Sequence, residues 1–234
     1  MATEFKISKS EIVNTIATLW TPLQDEEKQL LLTHLEIKKL KKNDFAYKIG
    51  QAARTITCLI KGKLKIFKAS ANGKDQIIRV VKPIDFLGYR AFFADEDYTT
   101  SAIAIESSVI ATIPLTIIVE LMHANPHVAL FFLKHLSTVL GVADQRLVNL
   151  SQKHVRGRLA DTLLFLQDTY GYEEDNQTLN VYLSRKELAS LSNMTTSNAI
   201  RTLSSFATDG WIETDRRRIK ILNKTMLQKI SDLG

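Results

Sequence analysis

A group of short polar side chains near the end of the chain has the composition and spacing to hydrogen-bond another molecule. It lies in "LSRKELASLSNMTTSNAIRTLSSFATDGWI", residues 183–212. Ser184 and Glu187 match a capping box, so a helix is predicted to begin at Ser184. The "SNM" segment interrupts that helix, and Thr195 or Thr196 can cap a second one. Two helices joined at a steep angle by a short turn form a helix-turn-helix.

The second helix of this pair carries its polar residues at its beginning. The helix is predicted to run through the apolar residues Ala199, Ile200, Leu203 and Phe206. The residues that could contact a DNA major groove are Thr195, Thr196, Ser197, Asn198 and Arg201. Arg201 can donate two hydrogen bonds to guanine, and Asn198 can pair with adenine or a phosphate. The alternative is a pair of amphipathic surface helices that bind nothing.

The segment "ETDRRRIK" predicts two short strands around a basic turn formed by Arg216, Arg217 and Arg218. Three arginines at a turn usually form a solvated tip, but beside a helix-turn-helix they suit a wing that contacts the phosphate backbone. The formal net charge of +6 suits a polyanionic partner without proving one. Arg156 and Arg158 add basic residues to the same third of the chain.

A long helix is predicted over residues 125–151, with Asn125 as its N-cap and Pro126 in its first turn. Apolar residues recur along it at alternating spacings of three and four: Leu133, Leu136, Leu140, Ala143, Leu147 and Leu150. This spacing is typical of a seam between two parallel helices. A helix buried against its own domain would show the same spacing, but we favour a dimer interface.

Residues 37–115 predict short strands separated by turns, as in a small β-barrel or jelly roll. Gly62 lies between two of these strands, and the Asn72-Gly73 pair in "SANGKD" predicts a hairpin. Residues from about 5 to 36 are predicted to be helical, and "LNVYLS", residues 179–184, to be a short strand. The single cysteine, Cys58, lies in an apolar strand and is expected to be a small buried residue.

Together these segments give an α+β chain, and their order resembles that of the CRP/FNR family of bacterial transcription regulators. The resemblance is carried by "IKGKLKIF", by "GKDQIIRVVKPIDFLGYRAFF" followed by "TTSAIA", by "VRGRLADTLLFL" and by residues 183–212. It implies an effector domain over residues 1–124, a dimerisation helix over 125–153 and a winged helix-turn-helix over 154–234. It also implies a cytoplasmic homodimer that binds palindromic double-stranded DNA and contacts RNA polymerase.

The residues that bind an effector in cyclic-nucleotide members of this family are altered here. The cassette that resembles Phe-Ile-Gly-Glu ends in Gly88 and Tyr89, so Tyr89 replaces the glutamate that binds ribose. Thr100, before Ser101, replaces the arginine that pairs with phosphate, and Asp144 stands where an adenine contact is expected. A charge-assisted pair with phosphate is therefore lost, and cyclic AMP is disfavoured. Arg90 could bind a different anion or form a surface ion pair.

Other chemistries lack the residues that they need. One cysteine cannot hold an iron–sulfur cluster, which takes four thiolates. The five histidines offer axial ligands for haem in principle: His34, His123, His127, His135 and His154. His123 and His127 have a metal-compatible spacing, but Pro126 between them is expected to start a helix, so we predict no metal site.

Two other classes of function would need different residues. An enzyme working in a barrel of this kind would need a His/Glu cluster, and residues 37–115 contain no histidine, so we expect no catalytic residues. The second is a regulatory ligand-binding module that controls a protein partner rather than DNA. The helix-turn-helix and the missing phosphate arginine argue against it. No run of eighteen uncharged apolar residues occurs, so we expect no membrane span.

Overall fold

The computed structural model describes residues 7–20, 22–70 and 75–234. The chain divides into two compact units, residues 1–68 with 79–140 and residues 69–78 with 141–234. The predicted hairpin turn at Asn72-Gly73 lies outside the described residues. The three-part division at residues 124 and 153 stays a prediction.

The first unit begins with helices and continues as a two-sheet β structure. Its helices are α1 (Lys9–Leu19), α2 (Asp25–His34), α3 (Tyr89–Phe93), α4 (Leu115–Ala124) and the first half of α5 (Pro126–Gln152). Its strands are β1 (Glu36–Leu40), β2 (Phe45–Tyr47), β3 (Thr55–Lys61), β4 (Leu64–Lys68), β5 (Gln76–Val81, shared with the second unit), β6 (Phe86–Leu87), β7 (Ser101–Ala104) and β8 (Ser108–Pro114).

The strands pair in two four-stranded sheets, ordered β1-β8-β3-β6 and β2-β7-β4-β5. The expected jelly-roll type is therefore present, although among the described residues the two sheets do not close into a barrel. Gly62 turns the chain between β3 and β4 with a φ of 93°, and a Cβ there would lie 2.4 Å from the Ser108 hydroxyl. Only glycine meets both conditions without strain.

Aromatic side chains fill the space between the first sheet and the helices. Trp20, at the end of α1, is fully buried, and its ring centroid lies 5.4 Å from those of both Phe86 and Phe132. Phe131 contacts Phe132 edge to face at 5.2 Å. Large rings in such contacts contribute much of the apolar burial of a core, so they fix α1 and the first half of α5 on the sheet.

The second unit is built on helices with a two-stranded hairpin. Its elements are the second half of α5, α6 (Val155–Tyr170), α7 (Arg185–Leu191), α8 (Thr196–Thr208), β9 (Ile212–Asp215), β10 (Arg218–Ile221) and α9 (Lys224–Leu233). The strand predicted at residues 179–184 is wrong, because only Leu179 forms an isolated bridge, to Tyr172. Residues 75–78 also belong to this unit, where the Ser190 hydroxyl donates to the Asp75 carbonyl and accepts from the Ile77 amide, each at 2.7 Å.

The region predicted to be helical, residues 5–36, contains α1 and α2 among the described residues, and β1 begins at Glu36. The second helix is capped at Gln24, whose amide donates to the Glu27 carboxylate at 2.7 Å. The long helix begins at Pro126 as predicted, and the Asn125 side chain accepts a hydrogen bond from the His127 amide at 3.1 Å.

Candidate nucleic-acid interface

The two helices of the predicted helix-turn-helix are formed by the capping interactions that the sequence indicated. The Ser184 hydroxyl accepts from the Glu187 amide at 3.2 Å, and Glu187 accepts from the Ser184 amide at 2.8 Å, which caps α7. Thr195 caps α8, since its hydroxyl accepts from the Asn198 amide at 3.2 Å. Asn193, in the turn between them, has a φ of 50°, a left-handed conformation that asparagine tolerates.

One face of α8 is buried, and this decides which residues face outward. Ala199, Leu203 and Phe206 are at most 2 % exposed. The opposite arc of the helix carries four exposed residues, here called the α8 face: Ser197, Ile200, Arg201 and Ser204. At 100° per residue these four lie within about 100° of arc. Ile200 is 47 % exposed and is the apolar member of this face.

The leading polar residues of α8 lie together at its N-terminal end. Thr195, Thr196 and Ser197 are exposed, and Asn198 is partly buried. An Arg201 Nη atom donates to the side-chain amide oxygen (Oδ1) of Asn198 at 2.6 Å, a bond that limits the rotamers of the arginine. The hydroxyl of Thr195 is used as a cap acceptor but can still donate its own proton.

The basic turn connects β9 and β10 as a two-residue hairpin loop, with Asp215 paired to Arg218. Arg216 and Arg217 occupy the loop and are exposed, and Arg216 has a left-handed φ of 50°. Arg218 differs from its neighbours because its guanidinium forms an ion pair with Glu173 and lies 5.8 Å from the Tyr182 ring. Glu173 also accepts a hydrogen bond from the Tyr182 hydroxyl.

Two arginines of α6 contact the helix-turn-helix from within the unit. Arg156 donates to the Ser205 hydroxyl and forms an ion pair with Asp209 at 2.9 Å, and its guanidinium lies 5.0 Å from the Phe206 ring. Arg158 donates to the Ser192 carbonyl at 3.2 Å, at the end of α7. Both arginines thus position the helices, a role that the charge count alone could not reveal.

Arg185, in the first turn of α7, was not singled out from the sequence. One of its terminal nitrogens is buried and has no hydrogen-bond partner among the described residues. Burial lowers the pKa of this guanidinium. The only sequence signal was its place inside the capping box.

In the first unit, most of the predicted effector residues already contact other side chains of the protein. Gly88 has a φ of 93° and precedes α3, and the Tyr89 side chain is only 3 % exposed. Its ring lies 5.4 Å from that of Phe132, and burial raises the pKa of its hydroxyl. Arg90 pairs with Glu96 at 2.9 Å and donates to the Thr99 hydroxyl at 3.0 Å.

Of the other predicted effector residues, two form hydrogen bonds within the protein and one belongs to the second unit. The Thr100 hydroxyl lies 3.4 Å from that of Tyr47, and the Ser101 hydroxyl accepts from the Ile49 amide at 3.0 Å. Asp144 belongs to the second unit, where it is exposed on α5. The structure therefore gathers five of the six predicted residues in one unit and leaves Asp144 in the other.

The side chains that could bind a metal ion or react as a thiol lie at positions that favour neither chemistry. Within the described parts of the chain, no three His, Cys, Asp or Glu residues lie close enough together to hold a metal ion. Cys58 is 1 % exposed, as expected of a small core residue, and burial raises the pKa of its thiol to about 12. Such a thiol is not a nucleophile at neutral pH.

The residues of the predicted dimer seam differ in exposure. Leu133 and Leu140 are 62 % exposed and Leu147 is 66 % exposed. Leucine is among the residues most often buried in folded proteins. Leu150 is 38 % exposed and Ala143 is exposed, whereas Leu136 packs partly on the first unit's core. By length and composition α5 could also cross a membrane, but a single helix of this kind is weak evidence for a span.

Comparison with known proteins agrees with this architecture. Residues 37–125 match the model of the cyclic nucleotide-binding domain, and residues 157–230 match the Crp-like helix-turn-helix domain. An anaerobic regulatory protein of Bacillus subtilis is 25 % identical over 80 % of this chain and 79 % of its own. The cAMP-activated global transcriptional regulator CRP of Pasteurella multocida is 25 % identical over 73 % of this chain and 82 % of its own.

A solved structure extends the similarity to the fold. FixK2 from Bradyrhizobium japonicum superposes with a TM-score of 0.76 at 18 % identity, covering 84 % of this chain and 96 % of that one. The resemblance expected from the sequence is confirmed, and with it the class of protein, which consists of regulators rather than enzymes. The chain belongs to the CRP/FNR family of transcription regulators and carries that family's DNA-binding helix-turn-helix.

Proposed function

We propose that this protein is a sequence-specific transcription regulator that binds a palindromic DNA site as a homodimer and does not respond to cyclic AMP. The observation that carries the proposal is the outward face of α8, where polar residues at its N-terminal end lie opposite a fully buried apolar face. The second helix of a helix-turn-helix binds the major groove with its N-terminal residues.

Arg201 is the residue best suited to bind a base. It is exposed, and its bond to the side-chain Oδ1 of Asn198 restrains the guanidinium before DNA binds. A restrained side chain loses less conformational entropy when it forms its contacts. Because a guanidinium can donate two parallel hydrogen bonds to guanine O6 and N7, Arg201 is expected to specify a guanine. Thr195, Thr196 and Ser197 would contact phosphates or base edges beside it.

The β9–β10 hairpin supports a second contact, to the phosphate backbone. A left-handed φ is costly for arginine, and glycine or asparagine would adopt it more readily. The presence of Arg216 at this position suits a role for its charge rather than for turn stability. Arg218 is already neutralised by Glu173, so we assign the wing contact to Arg216 and Arg217.

The exposed leucines of α5 support the homodimer. Leu133, Leu140 and Leu147 are spaced by seven residues and are each more than 60 % exposed. Such a stripe buries its apolar surface when a second copy of the helix packs along it. Two-fold symmetry of the dimer then requires a palindromic site, with half-sites about one helical turn apart.

The effector residues argue against cyclic AMP. A carboxylate for ribose and an arginine for phosphate are both replaced, by Tyr89 and Thr100. Tyr89 is buried against Phe132, and the hydroxyls of Thr100 and Ser101 already have protein partners. An anionic ligand would therefore meet few free donors among these residues. Haem binding by one of the histidines is not favoured by any observation, and the effector is left open.

The remaining features follow from the family. A regulator of this class acts on DNA in the cytoplasm and works through RNA polymerase, and we propose the same for this chain. The alternative of a module that controls a protein partner is not favoured by any contact in the described residues. The P. multocida relative is described as cAMP-activated, a property that we do not transfer to this chain.

Replacing Arg201 tests base binding. We expect Arg201→Ala to weaken binding to a duplex obtained by in vitro selection by about 1–3 kcal/mol and to relax the base preference at one position of each half-site. Arg201→Lys keeps the charge but cannot donate two parallel hydrogen bonds to one base. It should therefore lose the base preference at that position while keeping its affinity for random DNA. Electrophoretic mobility shifts on both duplexes measure this, and equal losses on the two would refute the base contact.

Replacing the wing arginines tests the phosphate contact. The double change Arg216→Ala/Arg217→Ala should weaken binding to all duplexes alike. It should also reduce the slope of log affinity against log salt by roughly two per chain, since each phosphate contact contributes about 0.9. Arg218→Ala is the matched control, and it should change the slope little because Glu173 already holds that charge. A larger effect from Arg218→Ala than from the double change would contradict the assignment.

Calorimetric titration tests the effector residues. Cyclic AMP at micromolar concentration should produce no binding isotherm, because the charge-assisted contacts to phosphate are missing. The cAMP-activated regulator of P. multocida, titrated under the same conditions, is the positive control. A saturable isotherm with this protein would overturn the interpretation of Tyr89 and Thr100.

A further inference from the structure

Ile200 is a large apolar residue exposed at one edge of the α8 face. It is 47 % exposed, and it lies three residues after Ser197 and directly before Arg201. Its neighbours on this face are polar or charged, whereas the apolar residues of the opposite face are fully buried. Ile200 therefore does not contribute to the apolar core of the second unit.

The helix itself gains nothing from isoleucine at this position. A β-branched side chain loses rotamer freedom in a helix, so alanine or a straight-chain residue would favour α8 more. A single exposed isoleucine is ordinary on a protein surface. What distinguishes Ile200 is that it shares this face with Ser197 and Arg201, which, under the proposed function, face base edges.

The major groove offers one apolar group, the 5-methyl group of thymine. Each base pair presents a distinct pattern there, and apolar side chains recognise thymine by contact with this methyl group. We propose that Ile200 contacts a thymine methyl group and so specifies a thymine next to the base bound by Arg201. This inference rests on the proposed function, because it requires α8 to lie in the major groove.

The geometry of the helix supports the pairing of the two contacts. Ile200 and Arg201 are separated by 100° around α8 and 1.5 Å along it, so their side chains reach neighbouring positions. Arg201 donates to Asn198, three residues earlier in the helix, and Ile200 is 47 % exposed. The methyl contact would exclude water from the groove beside the arginine, which strengthens its hydrogen bonds.

Deoxyuridine provides the test, since it differs from thymidine only by the missing methyl group. A preferred duplex is first obtained by in vitro selection from random sequence, and each thymine is then replaced in turn by deoxyuridine. For the unaltered protein, replacement at one position in each half-site should weaken binding roughly fourfold per half-site. This is the effect expected when the burial of one methyl group is lost. Replacements at other thymines should have little effect.

The variant Ile200→Ala tests whether the thymine methyl group contacts this side chain. It should bind the thymine duplex more weakly than the unaltered protein and lose the penalty for deoxyuridine at that position. Leu222→Ala is the matched control, because Leu222 is 46 % exposed in the same unit but lies outside α8. It should keep the full deoxyuridine penalty.

The outcomes separate this inference from the proposed function. If selection yields a preferred duplex but no deoxyuridine replacement weakens binding, or Ile200→Ala keeps the penalty, Ile200 does not contact thymine and only this inference fails. If selection enriches no sequence, the sequence-specific function itself fails, and the assignment of Ile200 fails with it.

Discussion

The burial of one face of α8 is the constraint on which the rest of the interface depends. Phe206 and Leu203 are held in the core of the second unit, and burying side chains of this size contributes about 1.5–3 kcal/mol each. Because the helix is rigid, fixing this face fixes the direction of every residue opposite it. The position of Arg201 at the surface is therefore a consequence of core packing and not of the polar residues themselves.

Local interactions at each end of α8 complete this constraint. Thr195 caps the N-terminus, so the helix begins where its polar residues are required. At the other end Arg156 bonds to Ser205 and Asp209 and lies 5.2 Å from the Trp211 ring, which begins the approach to the wing. The wing has its own anchor in the pair of Glu173 and Arg218. Helix and wing are thus held by different residues within one unit.

The sequence predicted the features that depend on local chemistry. The capping box at Ser184, the start of α5 at Pro126 and the glycine turn at Gly62 follow from residue types a few positions apart. The sequence did not indicate that Ile200 would be exposed, because helical periodicity alone cannot tell the edge of a buried face from its centre. In the structure Ile200 is 47 % exposed, whereas Ala199 and Leu203 are buried.

Contacts between distant segments could not be predicted in this way. Nothing near Arg218 in the sequence indicates that Glu173, forty-five residues earlier, neutralises it. The same holds for Ser101, whose hydroxyl is taken by the Ile49 amide, and for Ser190, which binds the backbone of residues 75 and 77. These pairings decide which residues are free to bind a ligand, so site assignments from sequence were less complete than the fold assignment.

Methylation protection on a selected duplex tests the central claim most directly, because dimethyl sulfate modifies guanine N7 in the major groove and adenine N3 in the minor groove. If α8 from each of two paired chains lies in the major groove, guanine N7 should be protected in two patches about one helical turn apart, on one side of the duplex. Adenine N3 should stay reactive at the same positions. Protection of adenine N3 instead, or of a single patch, would contradict the account.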